Sequence, residues 1–249
     1  MDDARLVDLP IAVIDCETTG LDPKVDRIIE VAIIHMQGGV VLDRWSSLVD
    51  PEQVVSEEVI KITGIDPQAL AVAPRFSALA AEVHARLSDR VFIAYNLAFD
   101  RAFLTQELER AGRELPARTF LDPLVFVREL HKSETSKRLT AIAAKLGVPL
   151  SNAHRAADDA EAAGHVLFKL LERLPDRLGD LLLLQQQWEA QQRNEMATWK
   201  GDRGAFEGVG GFVDRGNALG PAYVYGDDTD PVRAMFVHLP DAGAARRTA

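Results

Sequence analysis

The chain lacks the features that mark several protein classes. It has one cysteine in 249 residues, Cys16, so no intramolecular disulfide framework can form. No cysteines and histidines fall at zinc-binding spacing. No apolar run approaches the ~20 residues of a membrane-spanning helix. The opening Met1-Asp2-Asp3-Ala4-Arg5 is acidic and has no apolar signal region. Basic residues are outnumbered, 28 against 38 acidic, giving a net charge of −10. That balance argues against a protein that coats nucleic acid. Internal repeats are absent as well. A soluble, cytoplasmic protein without membrane contact is expected. Its hydrophobic content of 47% is ample for one sizeable core, with room for an appendage.

What is present is a set of acids in unusual places. Ile11 to Cys16 reads as a buried strand closed by the turn Thr18-Thr19-Gly20. Side chains alternate along a strand, so Asp15 and Glu17 share one face and Cys16 points to the other, with Ala12 and Ile14. Two neighbouring carboxylates at the end of an apolar strand repel each other and are costly to desolvate. A hard divalent cation, Mg²⁺ or Mn²⁺, relieves both costs. A strand fraying into solvent would explain an isolated pair equally well.

A second apolar strand, 91–95, runs into a helix expected over 98–111 and ending near Gly112. Asp100 precedes Phe103 and Leu104 by three and four residues, so it shares their core-facing side. A helix-stabilising first-turn acid is the plain alternative for it. The third locus opens an amphipathic helix over 155–173. Ala156, Ala160, Ala163, Val166, Leu167, Leu170 and Leu171 form its apolar stripe. Asp159 falls inside that stripe and needs a partner there. Asp158, Glu161 and His165 fall outside it and read as solvated surface residues. His154 stands at the helix start, where an imidazole reaches a water at the rim of a site.

These three loci resemble the motifs of the DEDD superfamily of 3′→5′ exonucleases, in its DnaQ-like His variant. The first is Val13 through Leu21 with Asp15 and Glu17. The second runs from Ala94-Tyr95-Asn96 through Phe99-Asp100 to Leu104. The third is His154-Arg155-Ala156 with Asp159-Ala160, in His-x4-Asp spacing. Arg27 to Ala32 and Ile62 to Ile65 look like secondary signatures, and the likeness covers roughly residues 10–175. Tyr95 and the Lys61-Ile62-Thr63-Gly64 stretch depart from the common pattern at positions without a catalytic role.

The resemblance implies a ribonuclease-H-like α/β fold, with a mixed five-stranded sheet flanked by helices. It implies a two-metal phosphodiester hydrolysis using Mg²⁺ or Mn²⁺. Asp15, Glu17 and Asp159 would hold one ion, Asp15 would bridge to a second that Asp100 completes, and His154 would be the general base. Thr18, Thr19, Gly20 and Leu21 would hold the terminal nucleotide, with Leu21 against the base and Asn96 and Phe99 lining the same pocket. The substrate would be a single-stranded or frayed 3′ end, with DNA favoured, as in proofreading or repair, and RNA trimming as the alternative. Bound metal reverses the local charge, so an acidic chain does not conflict with this reading. The Lys and Arg residues of 131–138 and Arg155 could supply a positive path. A solvated loop explains the 131–138 cluster as well.

Strands are expected at 11–16, 28–36, 39–48, 91–95 and 119–121, with a hairpin at Gln37-Gly38-Gly39. Helices are expected at 75–87, 98–111, 139–146 and 155–173. An exonuclease domain over 1–175 would be followed by an extension over 176–249. That extension begins with a long helix from Leu178 to Trp199, with Leu181, Leu184, Trp188 and Trp199 on one seam and glutamines elsewhere. Then comes Gly201–Gly220, with seven of the 17 glycines, and short strand-like runs at 222–225 and 234–237. The helix could pack back, form a homodimer or hold a partner such as a polymerase subunit. A binding subunit acting through this extension is the competing function.

Overall fold

The computed structural model describes residues 3–150 and 153–202. The seam position of Trp199 and the runs beyond residue 202 lie outside the described side chains and residues. Five strands form one sheet in the order β3-β2-β1-β4-β5: β1 Ile11–Thr18, β2 Ile28–Gln37, β3 Val40–Leu48, β4 Val91–Ile93 and β5 Phe120–Leu121. β1 pairs antiparallel with β2 and parallel with β4. The β2–β3 hairpin closes on Gly38 and Gly39 at φ 59° and 80°. Only glycine meets two such positions without strain, and the resulting turn matches the strand twist. β4 and β5 are shorter than expected. Tyr95 and Asn96 leave the sheet to start a helix.

Eight α-helices lie among the described residues: α1 Glu57–Thr63, α2 Pro67–Ala71, α3 Phe76–Leu87, α4 Leu97–Arg110, α5 Pro123–Leu130, α6 Leu139–Leu146, α7 Ala156–Leu170 and α8 Leu178–Asp202. Short turns hide α1, α2 and α5 from a periodicity reading. Their signals are local caps instead: Ser56 and Asp66 accept from Val59 N and Gln68 N, and Pro67 and Pro123 stand at helix starts.

The sheet separates two apolar layers. Ala12, Ile14 and Cys16 face α3 and α4, where Phe76, Val83, Phe103, Leu104 and Leu108 are buried. Ile11 and Val13 face α7, with Phe126 of α5 and Leu178 and Leu181 of α8 in the same layer. Small residues bring α7 close to the sheet. A Cβ on Gly164 would lie 2.5 Å from Met36 Sδ and 3.0 Å from Val13 Cγ2. This close approach carries the start of α7, with Asp159, towards the end of β1.

The chain leaves β1 towards β2 on one side and returns to β4 on the other, so β1 and β4 form a switch point. Sites in open α/β sheets sit at the carboxyl ends of strands at such points.

Helix α8 packs back on α5 over its described turns. Its seam differs from expectation, because two glutamines lie on it. Gln192 Nε2 donates to Val125 O and to Glu129 Oε1, both at 3.0 Å. Gln185 Nε2 donates to Phe120 O of β5 at 3.4 Å. A buried amide with both partners satisfied costs little, so glutamine is tolerated where periodicity alone asks for leucine. The N-terminal segment joins this seam through Leu178 N to Ala4 O, 2.9 Å. Among the described residues no helix is long and apolar enough to cross a membrane.

Candidate active site

Strand alternation places Asp15 and Glu17 together at the carboxyl end of β1, both half-buried. In register, Glu17 faces Glu30 on β2. Asp100, in the first turn of α4, is 3% exposed and its Oδ1 accepts from Cys16 N at 2.9 Å. The backbone N–H between the two β1 acids thus belongs to the third. Asp159, in the first turn of α7, is half-buried, and its Oδ2 accepts from His154 N at 2.8 Å. His154 is exposed, with φ 67°. Its backbone bond to Asp159 holds that left-handed residue at the rim.

One ligand atom each from Glu17, His154 and Asp159 lies within 4.8 Å of the others. Asp15 and Asp100 stand outside this triad but act on it electrostatically. Burial pushes Asp15 well above the usual carboxylate range, and repulsion from Asp100, Asp159, Glu17 and Glu30 adds to it. Burial, then Asp159 and Glu30, push Glu17 up to about 8, against the pull of Arg155. Asp100 is raised by burial, with the Cys16 hydrogen bond opposing. Asp159 rises to about 6, again by burial, with His154 opposing. Burial and mutual repulsion raise all four acids, so their ionised forms favour compensating charge. Their hard oxygens and crowding fit divalent cations.

The turn after β1 is built around Asp26. Its carboxylate accepts from Thr19 Oγ1 at 3.2 Å and Asp22 N at 2.8 Å. It fills the space above buried Gly20, where a Cβ would lie 2.4 Å from Asp26 Oδ2. Thr18 Oγ1 donates to Gly20 O at 2.6 Å, and Gln53 Nε2 donates to Thr19 Oγ1 at 2.6 Å. Leu21 is half-buried beside them, as are Asn96 and Phe99 at the start of α4. Phe99 also packs on Phe103, with ring centroids 4.8 Å apart. Gly20→Ala is expected to lower stability by about 1–3 kcal/mol through overpacking. Adding Asp26→Gly should recover part of that loss, because the clash disappears. Thermal unfolding of both single variants and the double variant measures the coupling. Simple additivity would contradict the geometry.

Three cationic features take partners that the sequence does not reveal. Arg155 is tied to Glu30, its Nε and Nη2 donating at 3.2 and 3.0 Å, and Ala156 N donates to the same carboxylate at 3.3 Å. It anchors the start of α7, and Glu30 offsets its charge. The lysines around the 131–138 cluster are engaged locally. Lys132 pairs with Glu129, Lys145 with Glu134, and Lys137 Nζ donates to backbone carbonyls. Asp158 is not simply solvated, because Arg44 of β3 bridges it to Glu161. Residues 44 and 158 are too far apart in the chain for a helical-face argument to pair them. Sequence reasoning also passed over Glu30, only 2% exposed, although it lies within the stretch Arg27 to Ala32.

A mixed sheet of this order, with acids from β1, α4 and α7 meeting at the end of β1, is the frame of a ribonuclease-H-like nuclease. The exonuclease family profile, RNase T type, matches residues 12–167. The chain belongs to this family, within the DEDD superfamily of 3′→5′ exonucleases. It is 33% identical over 175 residues to DNA polymerase III PolC-type of Oceanobacillus iheyensis, covering 70% of this chain and 12% of that one. It is 34% identical over 160 residues to the PolC-type polymerase of Bacillus cereus, covering 64% and 11%. The chain therefore spans only a small part of these curated relatives.

Among solved structures, the zinc-bound E. coli ExoI–ssDNA complex superposes with a TM-score of 0.63 at 23% identity, over 71% of this chain and 43% of that one. Exonuclease X in complex with 5′ overhanging duplex DNA gives 0.59 at 19% identity, over 70% and 99%. At these identities the likeness speaks for the fold.

Proposed function

We propose that the protein removes nucleotides from the 3′ end of single-stranded or frayed DNA, releasing nucleoside 5′-monophosphates. The observation that carries this reading is the meeting of Asp15, Glu17, Asp100 and Asp159 with an exposed imidazole at one strand end. Family membership supports the reaction class. The polymerase relatives, and the DNA held by both structural neighbours, favour DNA as the substrate.

Asp15, Glu17, Asp100 and Asp159 would hold two divalent cations, Mg²⁺ or Mn²⁺. Such ions supply charge neutralisation and polarise water and phosphate. His154 accepts the proton of the water that attacks phosphorus in line. The P–O3′ bond breaks, the leaving O3′ takes a proton from solvent water, and the remaining strand ends in a new 3′ hydroxyl. The turn Thr18 to Leu21 holds the terminal nucleotide, Leu21 packs against its base, and Asn96 and Phe99 close the pocket. The internal bonds of the Thr18 and Thr19 hydroxyls brace this turn.

The direct test follows 5′-labelled single-stranded DNA and RNA of one sequence with Mg²⁺ or Mn²⁺, beside the Asp15→Asn protein. A ladder shortening from the 3′ end, absent in the variant and faster on DNA, is expected. Faster loss of RNA would reverse the substrate assignment, and no shortening of either strand would refute the reaction. His154→Ala should cut turnover by about 10²–10⁴-fold, the usual contribution of a general base. Manganese affinity should stay within a few fold. A large affinity loss would make His154 a ligand instead.

A further inference from the structure

The buried acid Asp122 plays no part in the chemistry above, yet it lies under the helix that carries Asp100. Its Oδ1 accepts from Leu124 N at 2.9 Å, which caps α5, and from Asn96 N at 3.0 Å. Its Oδ2 accepts from Leu97 N at 3.1 Å. One carboxylate therefore ties the starts of α4 and α5 together. Asn96 is in the left-handed region, φ 70° and ψ 50°, without a side-chain cap of its own. Asparagine is one of the few non-glycine residues that visit this region, and the bonds around it fix it there. Asp122 supplies that hold, and Phe99 and Asp100 follow within one helical turn.

Asp122 is in turn fixed from α8. Its backbone N–H donates to Gln185 Oε1 at 2.8 Å, and Gln185 Nε2 donates to Phe120 O at 3.4 Å. Gln185 therefore spans the backbone on both sides of Leu121. A chain of direct bonds runs from α8 through Gln185, Asp122 and Asn96 to the first turn of α4.

We infer that Asp122 is a positioning residue for this site and that Gln185 sets its place, so that α8 controls turnover through the α4 start. The kinetic part of this inference rests on the exonuclease reading. Gln192 is the natural control. It is equally buried on the same seam, but bonds to Val125 and Glu129 on the body of α5.

The experiment compares Gln185→Met and Gln192→Met in the full chain. Methionine keeps the length and apolar contact but removes the acceptor. Both variants should lose a similar few degrees of Tm. Only Gln185→Met should speed amide hydrogen exchange at Asn96 and Leu97. It should also lower kcat roughly tenfold, a fraction of the ~10²-fold that a 1 Å misplacement costs. Asp122→Asn removes one of the two accepting oxygens and sets an amide NH2 against a backbone N–H of α4 or α5, so it should exceed Gln185→Met in both readouts. Equal exchange and equal kcat for the two glutamine variants would overturn the inference. If the wild-type protein shortens no 3′ end, the exonuclease reading fails. The exchange comparison then decides the positioning role by itself.

Discussion

Asp15→Asn and Asp159→Asn are each expected to cut turnover by about 10³-fold or more while the metal-free protein becomes more stable. The loss follows from chemistry. An amide keeps the shape of the carboxylate but gives up the charge that holds a cation. A bound cation stabilises the transition state by several kcal/mol, and each ~1.4 kcal/mol is a factor of ten in rate. The gain follows from electrostatics. Asp15 is pushed well above the usual carboxylate range by burial and by Asp100, Asp159, Glu17 and Glu30, so removing one charge relieves several repulsions. A gain of ~1 kcal/mol would raise Tm by about 2–4 °C in a domain of this size. Asp158→Asn is the control. Arg44 keeps its second partner Glu161, and an exposed ion pair contributes about 0–1 kcal/mol. Initial rates on labelled DNA, with thermal unfolding in chelator, measure all three. Equal damage from Asp158→Asn and Asp159→Asn would show that the face of α7 has been misread.

Stability of the metal-free protein should fall as pH rises, and divalent cation should cancel the fall. The raised acids bind protons more tightly in the folded than in the unfolded chain. Their favourable contribution is therefore complete below the ordinary carboxylate range, near pH ~4. It is lost as pH climbs through the folded values, about 6 for Asp159 and about 8 for Glu17. The fall thus runs from the ordinary carboxylate range up to about 8, the opposite of an acid stabilised by a salt bridge. The expected loss is of order a few kcal/mol. Each tenfold gain in proton affinity on folding corresponds to about 1.4 kcal/mol, and the four acids titrate together. Mg²⁺ or Mn²⁺ binds only the folded site and adds stability by mass action, most where the acids are ionised. Thermal unfolding from about pH 5 to about pH 9, with chelator and with Mg²⁺, gives the two curves. A metal-free Tm that is flat or rises over this range would refute the crowding of acids at the end of β1.

Much of the site was legible because its residues obey local periodicities. Alternation put Asp15 and Glu17 on one face of β1 and Cys16 on the other, as found. Helical spacing placed Asp100 with Phe103 and Leu104, and Asp159 with the alanines of α7. What escaped were polar partners that lie far apart in the chain: Glu30 with Arg155, Asp122 with Asn96 and Gln185, and Arg44 with Asp158. A single sequence carries no signal for such pairs, since neither local periodicity nor spacing links residues so far apart. The glutamines of α8 misled for the same reason. An amide looks solvent-facing until a backbone carbonyl on another element satisfies it.

The sequence by itself determined the strand and helix faces, the order of the three acidic loci and the family, because backbone geometry repeats every two or 3.6 residues whatever surrounds it. Tertiary structure alone decided three things. It set how closely α7 approaches the sheet, which depends on Gly164 meeting Met36 and Val13. It set the left-handed backbone at His154 and Asn96, held by Asp159 and Asp122. It also raised the proton affinity of the four acids. Each depends on the distance between groups remote in the chain, and desolvation and Coulomb repulsion take their values only once packing has fixed that distance.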